Sequence, residues 1–268
     1  MKQNILNHSS TVALSVFAAS LLAQAGTPAP SIASPTAALR ELSTDRPDTT
    51  ESPYSVDRGH FQFELELANA TREGGRWTEF SVMEINAKIG LTDSDDLQFV
   101  LPLFTRVRGE AEGFGDVTIR LKHNLWGNDG GSTALAIMPF VKLPTANGEL
   151  GNGRVEGGFI LPFAFAAPAG WGCGLMAEAD FLSNEAGDYE TSVLLSATAS
   201  HDLTETTAIF FEGVVVFHFA SSSDTEAYFN TGLTWAVAET WQLDGGIRVG
   251  LTSASPDLTP FLGVSMRF

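Results

Sequence analysis

Charged side chains recur at every second position in several short segments, and this spacing brings them to one face of a β-strand. Glu64 and Glu66 alternate with apolar residues near the start of the chain, and Arg120 and Lys122 do so in its middle. Such charges on facing strands form ion pairs, hydrate an aqueous passage or orient a polar solute. The sequence therefore predicts a charged interior enclosed by strands.

The alternation assigns a mixed set of acids and bases to this interior. One interpretation makes the bases from Arg106 to Lys142 one wall and the acids from Glu178 to Glu212 another, with a transverse field between them. The other interpretation is that the charges only brace the interior, since burying one sign alone would be costly. The sequence leaves both open for this set: His60, Glu64, Glu66, Glu84, Lys88, Arg106, Arg108, Arg120, Lys122, Lys142, Glu178, Asp180, Glu190, Glu212, Asp244, Arg248 and Arg267.

A second polar cluster precedes the first predicted strand. Asp45, Arg46, Asp48 and Glu51 lie in a stretch that contains two prolines, which favours an ordered but non-helical segment. If the strands enclose a barrel, residues 43–58 are predicted to enter its periplasmic mouth as a plug or to seal its end as a cap. The sequence does not decide between these two roles.

Enzymatic and metal chemistry find little support. A serine nucleophile needs a histidine that a third group orients, and the four histidines after residue 25 accompany no G-x-S-x-G motif. The spacings His-x-x-x-His and paired Cys are absent as well, so we expect no metal site and no cofactor. The single cysteine, Cys173, is interpreted as a small packing residue.

The net charge is −17, from 15 Lys and Arg against 32 Asp and Glu. Nucleic acid binding requires clustered basic residues, so no nucleic acid partner is expected. Residues 1–25 combine Lys2, an apolar run and a small-x-small cleavage site, which predicts a cleaved signal peptide. Residues 26–42 include a Pro-, Ala-, Ser- and Thr-rich stretch and are predicted to form a flexible periplasmic tether.

Period-two alternation continues from residue 60 to the end of the chain, and no useful amphipathic helix interrupts it. The connections alternate between longer, more polar loops and tight turns, which is the asymmetry of outer-membrane barrels. Residues 43–268 are therefore predicted to form one all-β domain. Its twelve predicted strands are 60–70, 78–91, 95–107, 115–126, 132–143, 155–167, 171–182, 189–201, 206–219, 224–238, 241–251 and 258–268.

The C-terminus favours a membrane barrel over a secreted lipocalin-like barrel or sandwich. Alternate apolar residues run up to a terminal aromatic, Phe268, which is typical of the signal that hands a chain to the outer-membrane assembly machinery. The five tryptophans lie near predicted strand ends, at the depth of an interfacial aromatic girdle. In lipid, a sheet of this kind must close on itself to pair its backbone groups.

Several motifs resemble one family. Residues 44–54 read TDRPDTTESPY, residues 59–64 read GHFQFE, and residues 113–116, 141–145 and 260–264 read GFGD, VKLPT and PFLGV. With these motifs the chain resembles the outer-membrane transporter family named for the meta-pathway of phenol degradation, over nearly its whole mature length. The resemblance implies a barrel with a transport role and supplies no catalytic set. The likeness to outer-membrane barrels in general also brings barrel lipases of similar strand number into consideration.

These observations together predict a transmembrane antiparallel β-barrel of about twelve strands in the bacterial outer membrane. Its expected partners are outer-membrane lipid, the assembly machinery and a small-molecule solute. The predicted function is passive or facilitated passage of small solutes, with aromatic and other hydrophobic compounds among the candidates. The alternative is a structural or sensory barrel whose lumen is occluded.

Overall fold

A computed structural model describes residues 39–184, 186–219 and 225–268. The predicted signal peptide and most of the predicted tether lie outside the described residues. The compact unit begins at Leu39, four residues before the predicted start of the barrel domain at residue 43. In the described ranges, none of the helical turns is long and apolar enough to cross a membrane.

Twelve long strands and one very short one make up the described unit. Two single helical turns, Gly148–Leu150 and Pro168–Gly170, lie in connections between strands. The strands are β1 (Phe61–Glu73), β2 (Arg76–Gly90), β3 (Asp95–Val107), β4 (Glu112–Gly113), β5 (Val117–Trp126), β6 (Thr133–Leu143), β7 (Glu156–Ala167), β8 (Trp171–Ser183), β9 (Tyr189–Asp202), β10 (Thr207–His218), β11 (Glu226–Ala238), β12 (Trp241–Gly250) and β13 (Leu258–Arg267).

The sheet closes into a barrel. Each long strand pairs antiparallel with its neighbour in sequence, β5 pairs with β3, and β13 returns to pair with β1. At the seam, Phe268 donates its backbone N–H to the carbonyl of Phe61 and accepts one in return, at 2.8 and 3.0 Å. Closure removes both sheet edges, which is the condition for such a sheet to exist in lipid. The predicted all-β barrel of about twelve strands is confirmed.

Alternation along each strand separates an apolar outer face from a polar inner face. On β13, Leu262 is 60% exposed and its neighbour Phe261 only 3%. On β5, Leu121 and Leu125 face outward, while Lys122 between them is 1% exposed. Apolar side chains therefore cover the outside of the barrel, and buried polar groups fill the inside. A water-soluble fold would show the reverse.

Aromatic side chains lie at the ends of the outer face. Trp126, Trp235 and Trp241 are exposed near turns at one end of the barrel, and Trp77 is exposed near the opposite end. Phe268 packs edge-on against Trp241 and Phe63, with ring centroids 6.3 and 6.2 Å apart. This arrangement matches the predicted aromatic girdle at a membrane interface.

The predicted strands agree with those observed to within three residues at every boundary. Two details differ at the end that carries the longer loops, here called the long-loop end. The first connection is a two-residue turn, Gly74–Gly75, because both glycines take the positive φ values that a tight hairpin requires. The two-residue strand β4 adds to β3 beyond that strand's pairing with β5. The opposite end of the barrel is called the short-turn end.

Backbone irregularities near the seam move Arg106 out of the predicted interior. The β1 register shifts between Glu66 and Ala68, and Met83 on β2 takes a positive φ of 57°. From these points toward the long-loop end, the residues that face the interior are displaced by one position along the strand, which is the effect of a β-bulge. Arg106 consequently lies opposite the outward-facing Phe80, with a side chain 63% exposed and paired with Glu112. Its assignment to the lumen is corrected.

Candidate functional site

Residues 39–58, here called the inner segment, lie inside the barrel. The segment enters and leaves at the short-turn end, where Arg58 bridges to Gly90 at the end of β2. A β-carbon at Gly90 would stand 2.1 Å from the carbonyl oxygen of Asp57, so only glycine lets the segment pass this close. Between these ends the segment reaches side chains of β1, β3, β5, β8, β10, β12 and β13.

Carboxylates on the barrel wall accept hydrogen bonds from consecutive backbone N–H groups of the inner segment. Glu64 on β1 accepts from the N–H groups of Asp45 and Arg46 at 3.0 to 3.1 Å. Glu212 on β10 accepts from Thr49 at 2.9 Å and Thr50 at 2.6 Å. Such charge-assisted bonds are roughly twice as strong as neutral ones. Wall carboxylates thus satisfy backbone donors that have no strand partner.

Asp45 anchors the segment to two buried lysines. Its carboxylate pairs with Lys122 at 2.7 Å and with Lys88, which also contacts Glu64. Both lysine side chains are at most 2% exposed. Burial alone would raise the pKa of the Asp45 carboxyl, but the charges of Lys122 and Lys88 outweigh it and lower that pKa well below its usual range. Asp45 therefore stays ionised inside the barrel.

Arg46 binds carboxylates on β1 and β12. Its guanidinium donates two hydrogen bonds to Asp244 on β12, at 2.7 and 3.2 Å, and one to Glu66 on β1 at 3.0 Å. Its flat group lies against Gly263, where an added β-carbon would meet the Arg46 Nε at 2.3 Å. Arg248 also donates to Glu66 at 2.9 Å and stacks 4.5 Å from the Phe261 ring. Glycine at position 263 thus makes room for the guanidinium.

Two further carboxyls of the inner segment lie in the interior. Glu51 accepts a hydrogen bond from Arg120 on β5 at 2.6 Å. Burial, with the nearby charge of Asp45, raises the pKa of Glu51 to about 7. Burial, with the nearby charge of Glu212, likewise raises the pKa of Asp48 to about 7. These groups exchange protons near neutral pH.

Three charged groups hold the two ends of the inner segment at the short-turn end. Asp57 pairs with Arg40 at 2.7 Å and with Arg267 at 3.1 Å. Arg267 also donates to the carbonyls of Arg40 and Glu41, at 2.7 and 3.3 Å. The penultimate residue of the chain therefore holds the beginning of the barrel unit. Alternation along the last strand assigns Arg267 to the interior, but it does not indicate these partners.

An apolar cluster covers another part of the inner wall. Met138, Ile160 and Met176 are at most 4% exposed, and Phe140 and Leu194 pack against them. The Met176 sulfur lies 3.2 Å from the backbone nitrogen of Glu51. Side chains less than 2% exposed come from β1, β3, β5, β6, β7, β10, β11 and β13. The lumen is therefore filled at the level of the inner segment.

Cavities lie on both sides of this filled level. The short-turn chamber, of about 390 Å³, lies between the inner segment and a wall of small residues such as Ala164, Gly174 and Ser200. The long-loop chamber, of about 140 Å³, is bordered by Glu66, Glu84 and several other charged residues. The inner segment contributes to the lining of both chambers, so it separates them.

The structure brings many of the predicted lumenal residues together. Glu64, Glu66, Arg120, Lys122, Glu212 and Asp244 bind the inner segment directly, and Arg248 joins through Glu66. Others lie toward the long-loop end: Lys142 pairs with Glu156, Glu178 contacts Asp180, and Glu190 accepts from Asn184 at 2.7 Å. No metal-binding group of three or more His, Cys, Asp or Glu occurs among the described residues.

Sequence reasoning missed the uncharged partners. Asn124 donates to the Pro53 carbonyl at 2.8 Å, Gln62 donates to the Ser43 carbonyl at 2.7 Å, and Ser196 bonds the Thr50 hydroxyl at 2.7 Å. Each occupies an inward position in the alternation, so its direction was predictable and its partner was not. Asp116 closes the GFGD motif, and it accepts the N–H groups of Thr145 and Ala146 at 2.9 Å and so anchors a loop.

A family model described as "Putative MetA-pathway of phenol degradation" matches residues 44–268. The chain belongs to this family. The match begins at the inner segment and ends at the terminal phenylalanine, so both lie within the family's domain. The comparison with curated proteins found no match.

Solved structures of outer-membrane proteins have a fold similar to that of this chain. The crystal structure of an outer membrane channel from Pseudomonas putida F1 has a TM-score of 0.59 and 15% identity, over 84% of this chain and 100% of that chain. The NanC porin has a TM-score of 0.57 and 7% identity, over 76% of this chain and 98% of that chain. At these identities the likeness shows the fold alone, which is that of outer-membrane barrels.

Proposed function

We propose that this protein is a channel of the bacterial outer membrane that passes small solutes and is closed by its inner segment. The observation that carries the proposal is the division of one lumen into two chambers by residues 39–58. Solid packing would have left no chambers, and an open pore would have left no filled level. The long-loop end then faces outside the cell and the short-turn end faces the periplasm.

The inner wall supports passage of solutes with an apolar part. The cluster of Met138, Ile160 and Met176 is at most 4% exposed in the closed barrel, and it would give such a solute an apolar surface once the inner segment has left. Ionised side chains on the rest of the inner wall keep the remainder of the passage polar. Aromatic and other hydrophobic compounds are therefore among the solutes we propose, and the outer-membrane assembly machinery is the proposed partner that inserts the barrel through its Phe268 end.

Planar bilayer recordings test the proposal. Deleting residues 43–58 should raise single-channel conductance well above that of the full chain, because the deletion removes the filled level and joins the two chambers. Deleting residues 28–36, upstream of the barrel unit, is the matched control and should leave conductance unchanged. If the first deletion lowers the thermal stability of the barrel without raising conductance, the inner segment is a cap and the channel proposal fails.

A structural or sensory barrel with a permanently occluded lumen is the second candidate. The complete burial of the Lys88 and Lys122 contacts favours it, since buried ion pairs separate at a high cost. We further propose that the protein is not an enzyme. On the outer face His123 bonds Asp95 at 2.7 Å, and the residues across the strands from it, Asp95 and Ile137, include no serine, threonine or cysteine. A lipase assay on the refolded barrel should detect no hydrolysis.

A further inference from the structure

The short-turn chamber has a wall of small side chains. Ala164, Ala166, Gly172 and Gly174 come from the inward positions of β7 and β8. Thr50 of the inner segment approaches the wall at Gly174, but because the neighbouring side chains are short, a cavity of about 390 Å³ lies between the rest of the segment and the wall. This space opens at the short-turn end, since the turn residues Gly131 and Ser132 also border it. A small molecule reaches it without any movement of the inner segment.

Hydroxyl groups line this space. Ser132, Ser200 and Thr234 project from three separate parts of the wall, and Tyr54 projects from the inner segment. Within the described residues, none of these four hydroxyls has a hydrogen-bond partner. Each is both a donor and an acceptor, so together they match a ligand that carries hydroxyl or carbonyl oxygens.

Apolar surfaces complete the lining. Pro47 and Pro53 are buried on the side of the inner segment, and Phe210 on β10 is 2% exposed. A ligand held by the hydroxyls would place its carbon skeleton against these rings. Binding sites for small molecules commonly combine an apolar surface with a few placed polar groups in this way.

The charges of the chamber select against anions. Among its described lining residues Arg46 is the only cation, and Asp244 and Glu66 already occupy its guanidinium. Asp48 and Glu51 also line the chamber, and both are acids. A carboxylate ligand would therefore find no available positive group, and above about pH 7, where Asp48 and Glu51 are ionised, it would also meet negative charge.

We propose that the short-turn chamber is a binding site for small uncharged solutes that carry a hydroxyl group on an apolar skeleton. The inference rests on the proposed channel function and names its solute class. The site itself is accessible from the short-turn end while the channel is closed. Binding can therefore be measured separately from transport.

Three probes with the same seven-carbon skeleton test the site: benzyl alcohol, toluene and benzoate. Ligand-observed NMR on the full chain in nanodiscs should give benzyl alcohol an affinity about two- to tenfold above that of toluene, the value of one hydrogen bond. Benzoate should bind at least about tenfold more weakly than benzyl alcohol. Equal affinity for benzyl alcohol and toluene, or tight binding of benzoate, would overturn the proposal.

Variants locate the site. Ser200→Ala and Thr234→Val should each weaken benzyl alcohol binding by about two- to tenfold and leave toluene binding unchanged. Thr207→Val is the matched control, because Thr207 occupies an outward position of β10. Tyr54→Phe gives an independent check if a wall variant does not fold. Should benzyl alcohol bind while no variant ever conducts, the site stands and the channel function fails. Conduction without preference among the probes would leave the channel function standing and remove the site.

Discussion

Replacement of Gly263 by alanine should unseat the inner segment without altering any residue of that segment. Gly263 lies on the inner face of β13, and an added β-carbon would stand 2.3 Å from Nε and 2.4 Å from Cζ of Arg46. Carbon and nitrogen do not approach this closely, so the guanidinium must move. Arg46 would then lose hydrogen bonds to Asp244 that now measure 2.7 and 3.2 Å.

The size of the effect follows from the bonds at risk. A hydrogen bond to a charged group contributes about 1.5–3 kcal/mol, and a buried partner left alone costs more. The guanidinium is displaced and not deleted, so we expect the seated state of the inner segment to lose about 2–3 kcal/mol. This corresponds to a roughly 30- to 150-fold shift toward the unseated state.

Single-channel recordings, paired with limited proteolysis of the inner segment, measure this shift. Gly263→Ala should raise open probability and expose residues 39–58 to protease. Gly213→Ala is the matched control, because Gly213 lies on the outer face of β10 with no atom within 4 Å of its added β-carbon. Arg46→Ala should mimic Gly263→Ala, and the double variant should add little to either. A folded Gly263→Ala barrel with a protected segment and unchanged conductance would refute this reasoning.

Three further predictions concern charges. Asp48 has a pKa of about 7 while the inner segment lies in the barrel and an ordinary pKa near 3.8 once the segment is released. The released segment gives up this proton more readily, so binding of the segment in the barrel should weaken as pH rises from about 4 to about 7. Open probability should therefore be higher at pH 8 than at pH 5. Asp48→Asn should flatten that profile, whereas an unchanged profile would assign the titration to another group such as Glu51. Reversing Arg120 and Lys122 to Glu, in the chain that lacks residues 43–58, should shift the reversal potential toward greater cation selectivity, and an unmoved potential would remove the proposed transverse field. Asp57→Asn should loosen the short-turn end through its lost pairs with two arginines and increase protease cleavage near Arg40, with little change in the melting temperature of the barrel.

The sequence alone determined the strand order, the direction of most side chains and the closure of the barrel. This was possible because the information is local: a period of two assigns a face to every residue, and the length of each connection separates the two ends of the barrel. Residues such as Glu64, Lys122 and Asp244 could therefore be assigned to the interior before their partners were known. The failure at Arg106 has the same origin, since the backbone irregularity at Met83, where φ is positive, accompanies a one-residue shift of the alternation and leaves no signal in the types of the residues that follow.

Only the tertiary structure decided what fills the interior. The residues that hold the inner segment are far apart in sequence, for example Arg46 with Asp244 and Thr50 with Glu212. Their meeting depends on the diameter of the closed barrel and on how deep the segment lies. Gly263 illustrates the limit: its lack of a side chain matters because one guanidinium lies against it, and no pattern along the chain records a contact made across the lumen.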